Sequence, residues 1–142
     1  MSGRERGNAL VEFAIASTAA LTLMLGIIDS ARALYTYHLV SSAARQGTRY
    51  AMVRGSSCTA AGCPASADTI QTYVRGLAPG IDPSSLAVTT TWSSASGCTD
   101  PANQGAGCVV AVNASYPFRF IIPLLPRFTM TMSSTSQIVI SQ

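Results

Sequence analysis

One acid stands in an otherwise uncharged apolar run, and its spacing from a glycine makes it the first residue to question. From Gly7 to Ile28 the chain reads GNALVEFAIASTAALTLMLGII, with Glu12 as its single charge. Carried into a membrane, a carboxylate costs roughly 2.5–3.5 kcal/mol at mid-bilayer and less near an interface. Either Glu12 stays wet at headgroup depth, or it meets a cation. A cut after Gly7 would supply one, the new α-amino group of Asn8, with Glu12 then the fifth residue and Phe13 the sixth. When helices stagger in a bundle, Glu12 of one subunit can neutralise the amine of its neighbour, and pairing offsets the cost of burying either charge alone. The chemistry indicated is that of a protease substrate and of a charge pair between chains. Gly7, Asn8, Glu12 and Phe13 are the residues concerned.

Other reactive types are sparse. Cys58, Cys63, Cys98 and Cys108 all follow the apolar run. Their even number, short separations and glycine-rich surroundings point to two disulfides in an oxidising compartment. Three connectivities are possible. The local pairs Cys58–Cys63 and Cys98–Cys108 are favoured, because each closes one loop between expected elements. Zinc is the rival reading, and the gaps do not match the close C-x₂-C pairs of most structural sites. His38 is the sole histidine, so no metal centre and no cofactor are expected. Ser and Thr are abundant, yet none sits in a G-x-S-x-G turn. No paired carboxylates or phosphate-cradling loop occur, so no catalytic residues are assigned and an enzyme is not expected.

The nine basic residues are all arginine, and the net charge is +3. No basic block with interleaved aromatics appears, which argues against nucleic acid as a partner. Arg4 and Arg6 instead precede the apolar run, and the positive-inside rule then keeps that end cytoplasmic. Residues beyond about Asp29 would lie outside the membrane, where cysteines can oxidise.

A long helix must carry these residues. Gly7 to about Arg54 holds no proline, and over residues 8–28 it would span about 31 Å, one hydrocarbon core. From Asp29 to Arg54 the pattern turns amphipathic, with Leu34, Tyr37, Val40, Ala44, Gly47 and Ala51 expected on the packed face. Asp29 and Arg32, three apart at the expected outer boundary, can form an intrahelical pair. Tyr35, Tyr37 and Tyr50 are expected at the interface or against a sheet. A signal peptide cut after Ala31-Arg32-Ala33 is an alternative, opposed by Glu12 and by a helical pattern that runs through the supposed site.

Gly55-Ser56-Ser57 should stop the helix. A short second helix over about 67–77 follows, capped by Ser66 or Asp68, with Ile70, Tyr73, Val74 and Leu77 on one face. Alternation predicts strands over Leu86–Trp92 and about Phe128–Ile140, and β-branched content predicts one over Val109–Tyr116. Pro117–Arg127 crowds apolar residues between prolines that forbid a regular central strand. It reads as a loop over the core, or as a patch meeting a neighbouring subunit or the membrane surface. The expected fold is α+β: a long transmembrane and amphipathic helix packed on a small domain with one short helix and a three-stranded antiparallel sheet.

Gly7 followed by Asn8-Ala9-Leu10-Val11-Glu12-Phe13 resembles the prepilin-peptidase site of type IV pilin-like proteins. With LGIIDSARALYTYHLVSSAARQGTRYA after it, the stretch over about residues 5–54 resembles the TadE family of minor pilins, or pseudopilins, from tight-adherence (Flp-type) pilus systems. The resemblance implies a prepilin leader at 1–7, a helix over 8–54 and a disulfide-containing extracytoplasmic domain over 55–142. It implies cleavage between Gly7 and Asn8 by a prepilin peptidase that reads Gly7, Glu12 and Phe13. Its further implied partners are the major Flp pilin, other TadE/F-like minor pilins and the inner-membrane pilus platform, in a homo- or hetero-oligomeric filament. The implied location is the bacterial inner membrane, with a single pass, then the extracellular pilus, and the implied role is pilus biogenesis and adhesion. The alternative is a membrane-anchored extracytoplasmic binding module, or a secreted domain released by a signal peptidase, that never enters a filament.

Overall fold

The computed structural model describes residues 2–94, 98, 100, 102–121 and 129–141, with the backbone alone for 2–6. One helix dominates it. Helix α1 runs unbroken over Ser2–Met52, so it starts six residues before the expected Asn8 and takes the charged N-terminal residues with it. No proline interrupts it, and the alanines and leucines that fill it lose little freedom in a helix. Its hydroxyls turn back onto their own backbone. Thr18 Oγ1 donates to the Ala14 carbonyl at 2.7 Å, Thr22 to Thr18 at 2.8 Å and Ser30 to Gly26 at 2.8 Å. Those bonds satisfy polar groups within the helix, as an apolar solvent requires.

A small head packs on the second half of α1. Helix α2 spans Ala67–Gly76, and Ser66 caps it by accepting from the Thr69 N–H. Strands β1 (Ala87–Ser93), β2 (Val109–Arg119) and β3 (Thr129–Val139) form an antiparallel sheet in the order β1-β2-β3. The fold is α+β, a stem bearing a head. Alternation decides which strand faces turn inward: Val88, Val110, Val112, Ala114 and Met132 are buried, with Leu86 and Ile140 at the strand ends. Fully burying a Val, Leu or Ile contributes about 1.5–3 kcal/mol. At the free edge of β1, Arg75 Nε donates to the Leu86 carbonyl at 3.1 Å. Phe128, the expected start of the last strand, lies outside the described residues.

The packed face of α1 differs from expectation. Thr36, Val40, Ala43, Ala44, Gly47, Thr48 and Ala51 are buried, whereas Leu34 and Tyr37 are 62% and 48% exposed. The reason is the closeness of helix and sheet. A Cβ on Gly47 would stand 2.7 Å from Val74 Cγ2 and 3.1 Å from Val112 Cγ1. Such an approach admits alanine, glycine and threonine and pushes large side chains to the shoulders. Thr48 and Ser136 share a hydrogen bond of 3.1 Å across this seam.

β2 also departs from expectation, because it continues through Pro117 to Arg119. Pairing with β1 ends at Ala87↔Ser115, while pairing with β3 continues through Pro117↔Thr131. Past Ser115 the strand has a partner on one side only, where a missing N–H is tolerated. Of the Pro117–Arg127 stretch, residues 122–127 lie outside the described region. At the far end of the head, Cys58 is bonded to Cys63 and Cys98 to Cys108. The loop carrying Cys98 is tied to the end of α1 where the Ser56 N–H donates to the Gln104 carbonyl at 2.9 Å.

Candidate functional site

The lower half of α1 has no cover. From Asn8 to Ile28 no residue is buried, and Phe13 is 72% exposed. An apolar surface that continuous on a lone chain marks a site for membrane or protein. By length and composition the helix is able to cross a bilayer. Gly7 and Asn8 lie in its first turns, and a Cβ on Gly7 would meet nothing within 4 Å. Glu12 is exposed on the stem, with no hydrogen-bond or ion-pair partner among the described residues. Phe13 stands beside it. The expected processing residues are therefore contiguous on one bare helix, and none of them touches the head.

Asp29 marks where the stem meets the head. It is 2% exposed, and its Oδ1 accepts from Arg32 Nη1 at 2.8 Å. Its Oδ2 accepts from the Ile121 backbone N–H, also at 2.8 Å. Spacing along the helix indicates the first partner. The second lies 92 residues away, and no local pattern announces it. Arg32 in turn places its guanidinium 5.4 Å from the centre of the Phe118 ring, which meets Phe120 edge-on at 5.1 Å. One carboxylate thus ties the end of β2 to the helix directly above the apolar run. Asp29→Ala should cost about 0.5–1.5 kcal/mol, since it removes the acceptor of the Arg32 guanidinium and the Ile121 N–H, and water can reach both donors afterwards. Chemical denaturation in detergent will read this, and Asp29→Asn, which keeps an acceptor, should lose less.

Around this tie lies a cleft of about 430 Å³, whose lining includes Arg32, Tyr35, Asp82, Tyr116 and Arg119. Asp82 accepts from the hydroxyls of Ser84 and Ser85 and from the Ser84 N–H. These bonds, led by the Ser84 hydroxyl, hold its carboxyl below the usual aspartate range. A carboxyl lowered by folding adds stability above its unfolded pKa, and that stability is lost as pH falls through the lowered value.

The remaining candidates lie apart. His38 is exposed and meets Tyr37 edge-on at 6.4 Å. Tyr50 stacks on Tyr73 at 4.2 Å, with the Arg54 guanidinium 3.9 Å from the Tyr50 ring. Among the described residues, no three His, Cys, Asp or Glu side chains gather as metal ligands would.

Residues 7–49 match the family model described as TadE-like protein. The stem and the first part of its seam are thus similar to TadE-like proteins over less than a third of the chain. The match opens on Gly7 and takes in Glu12, Phe13, Asp29, Arg32 and the close-packed stripe through Thr48, while the sheet lies beyond it. A TadE-like domain supports a pilin-like role associated with the Tad pilus and, in general terms, partners from that pilus system. It also fits the bare apolar stem, because the Tad pilus family is membrane-associated. No curated protein and no solved structure matches the chain.

Proposed function

We propose that this TadE-like chain is a non-enzymatic, pilin-like subunit, a minor pilin or pseudopilin, of a Tad (Flp-type) pilus. Residues 8–28 hold it in the inner membrane, with Arg4 and Arg6 on the cytoplasmic side and the disulfide-bonded head outside. A prepilin peptidase cuts between Gly7 and Asn8. The freed amine and Glu12 then permit lateral pairing with the major Flp pilin, with other TadE/F-like minor pilins and with the membrane platform, in pilus biogenesis and adhesion. The observation that carries this reading is the uncovered apolar stem, with an acid five residues past Gly7, inside the TadE-like match. Small residues such as Ala16, Ala19, Ala20 and Gly26 on that stem let a second helix approach closely.

The intact mass of protein recovered from membranes of cells with the peptidase tests the proposal. We expect a chain beginning at Asn8. A start at Leu34 would instead identify a signal-peptidase product, and a start at Met1 an uncut anchor. Glu12→Leu should insert as well as the wild type but fail to co-purify with the other pilus subunits. Normal incorporation of that variant would remove the charge-pairing argument.

A further inference from the structure

The tie between Asp29 and Ile121 has a consequence for the head. Asp29 follows the last apolar residue of the stem, so its carboxylate sits where the hydrocarbon core ends. Bonded to it at 2.8 Å, the Ile121 N–H holds the end of β2 at that same depth. Ile121 is nonetheless 64% exposed, a large aliphatic side chain left uncovered beside the stem. From Asp29 to Tyr35 the helix rises about 9 Å, roughly the depth of one headgroup layer. Within that rise stand the exposed Tyr35 and Arg32, whose guanidinium reaches back to Asp29 at 2.8 Å, and the cleft they share also holds Arg119 and the Asp82 carboxylate. An aromatic ring, arginine side chains and an exposed aliphatic side chain gathered where the apolar run ends are the residue types that interfacial elements set at a bilayer surface.

We infer that the end of β2 is a second membrane contact, in which Ile121 enters the outer headgroup layer and seats the head on the phospholipid surface. The inference rests on the membrane-anchored reading above and adds to it an orientation. The head lies on the leaflet through its β2 end, and the disulfide-bonded loops point away. Before assembly this contact fixes the direction in which the subunit faces its neighbours.

Tryptophan fluorescence in the full-length chain, reconstituted into phosphatidylethanolamine–phosphatidylglycerol vesicles with brominated acyl chains, tests it. The single native tryptophan, Trp92, pairs with Val110 at the other end of the sheet. Arg119 lies nine steps along β2 from Val110, about 30 Å, so Trp92 serves as the remote control. Ile121→Trp is placed in a Trp92→Phe background, as is Leu23→Trp, which probes the stem. With bromines near the headgroup, Ile121→Trp emission should fall about twofold, as for a residue buried roughly 5–10 Å into the interface. Emission from Trp92 in the wild-type chain should stay unchanged. Quenching of Leu23→Trp without quenching of Ile121→Trp would overturn this inference and leave the anchor standing. If neither is quenched, the anchor reading falls and the inference with it. Equal quenching of Trp92 overturns the orientation. Emission from Ile121→Trp that ignores brominated lipid but changes with protein density assigns the surface to a second copy of the chain and overturns the lipid assignment.

Discussion

Gly7→Leu should be synthesised, inserted and folded like the wild-type chain, yet keep its first seven residues. A Cβ at position 7 meets nothing within 4 Å, so the fold has no need of glycine there. Glycine in a helix interior is moreover less favourable than alanine by about 0.8–1.0 kcal/mol, so on folding grounds a substitution should help. A cost that appears only in processing must come from the enzyme that handles the bond. Forcing extra methylenes into a fitted site typically costs about 1–3 kcal/mol, which corresponds to roughly 5- to 150-fold in rate. A larger clash would abolish the cut. Co-expression with a prepilin peptidase and intact-mass measurement read the outcome directly. Full processing of the Gly7→Leu chain would show that the scissile bond lies elsewhere, whatever the stem does in the membrane.

Gly47→Val should have the opposite profile, with processing unaffected and the head destabilised. The added Cβ would fall 2.7 Å from Val74 Cγ2 and 3.1 Å from Val112 Cγ1. Both neighbours are fully buried and β-branched, with χ1 freedom too limited to swing away. Helix α2 and the sheet stand behind them, so relief requires α1 to lift from its seam and to stretch the Thr48–Ser136 hydrogen bond. Overpacking of this kind costs up to about 3 kcal/mol. For a head of this size that is a fall in Tm on the order of 10–20 °C. Gly26→Val is the matched control, because a side chain at position 26 of the same helix meets nothing. Thermal unfolding in detergent should separate the two variants, and equal Tm values would show that α1 sits farther from the sheet than the structure places it.

The two glycines also show what a local pattern reveals and what it hides. Both stand in a proline-free helix, and by sequence Gly47 is one more small residue on an amphipathic face. Only the approach of Val74 and Val112 from two other elements makes it indispensable. The same proximity explains why Leu34 and Tyr37, assigned to the packed face by hydrophobicity and period, stand outside. A helix pressed close to a sheet buries small side chains, so the size of a residue predicts its burial in the wrong direction there. Strand alternation was a better guide, since the sheet has one packed side and period two leaves little choice. Leu86, Val88, Met132 and Ile140 turn inward as their spacing requires, while Met130, on the same face by period, is 41% exposed near the start of β3. Pro117 misled because a proline forbids a strand only where both sides are paired, and the length of β1 is a property of the sheet.

What the sequence by itself determined is everything that depends on neighbours within a few residues. That includes a helix long and apolar enough to span a bilayer, the acid five places past Gly7, the Asp29–Arg32 step, and the short loops that favour the local pairs Cys58–Cys63 and Cys98–Cys108. Tertiary structure alone decided that Asp29 is buried and that its second oxygen holds the Ile121 N–H at 2.8 Å. A backbone donor carries no side-chain signature, and a partner 92 residues distant leaves no period to read. The chain had to fold before the carboxylate at the top of the stem could join it to the head.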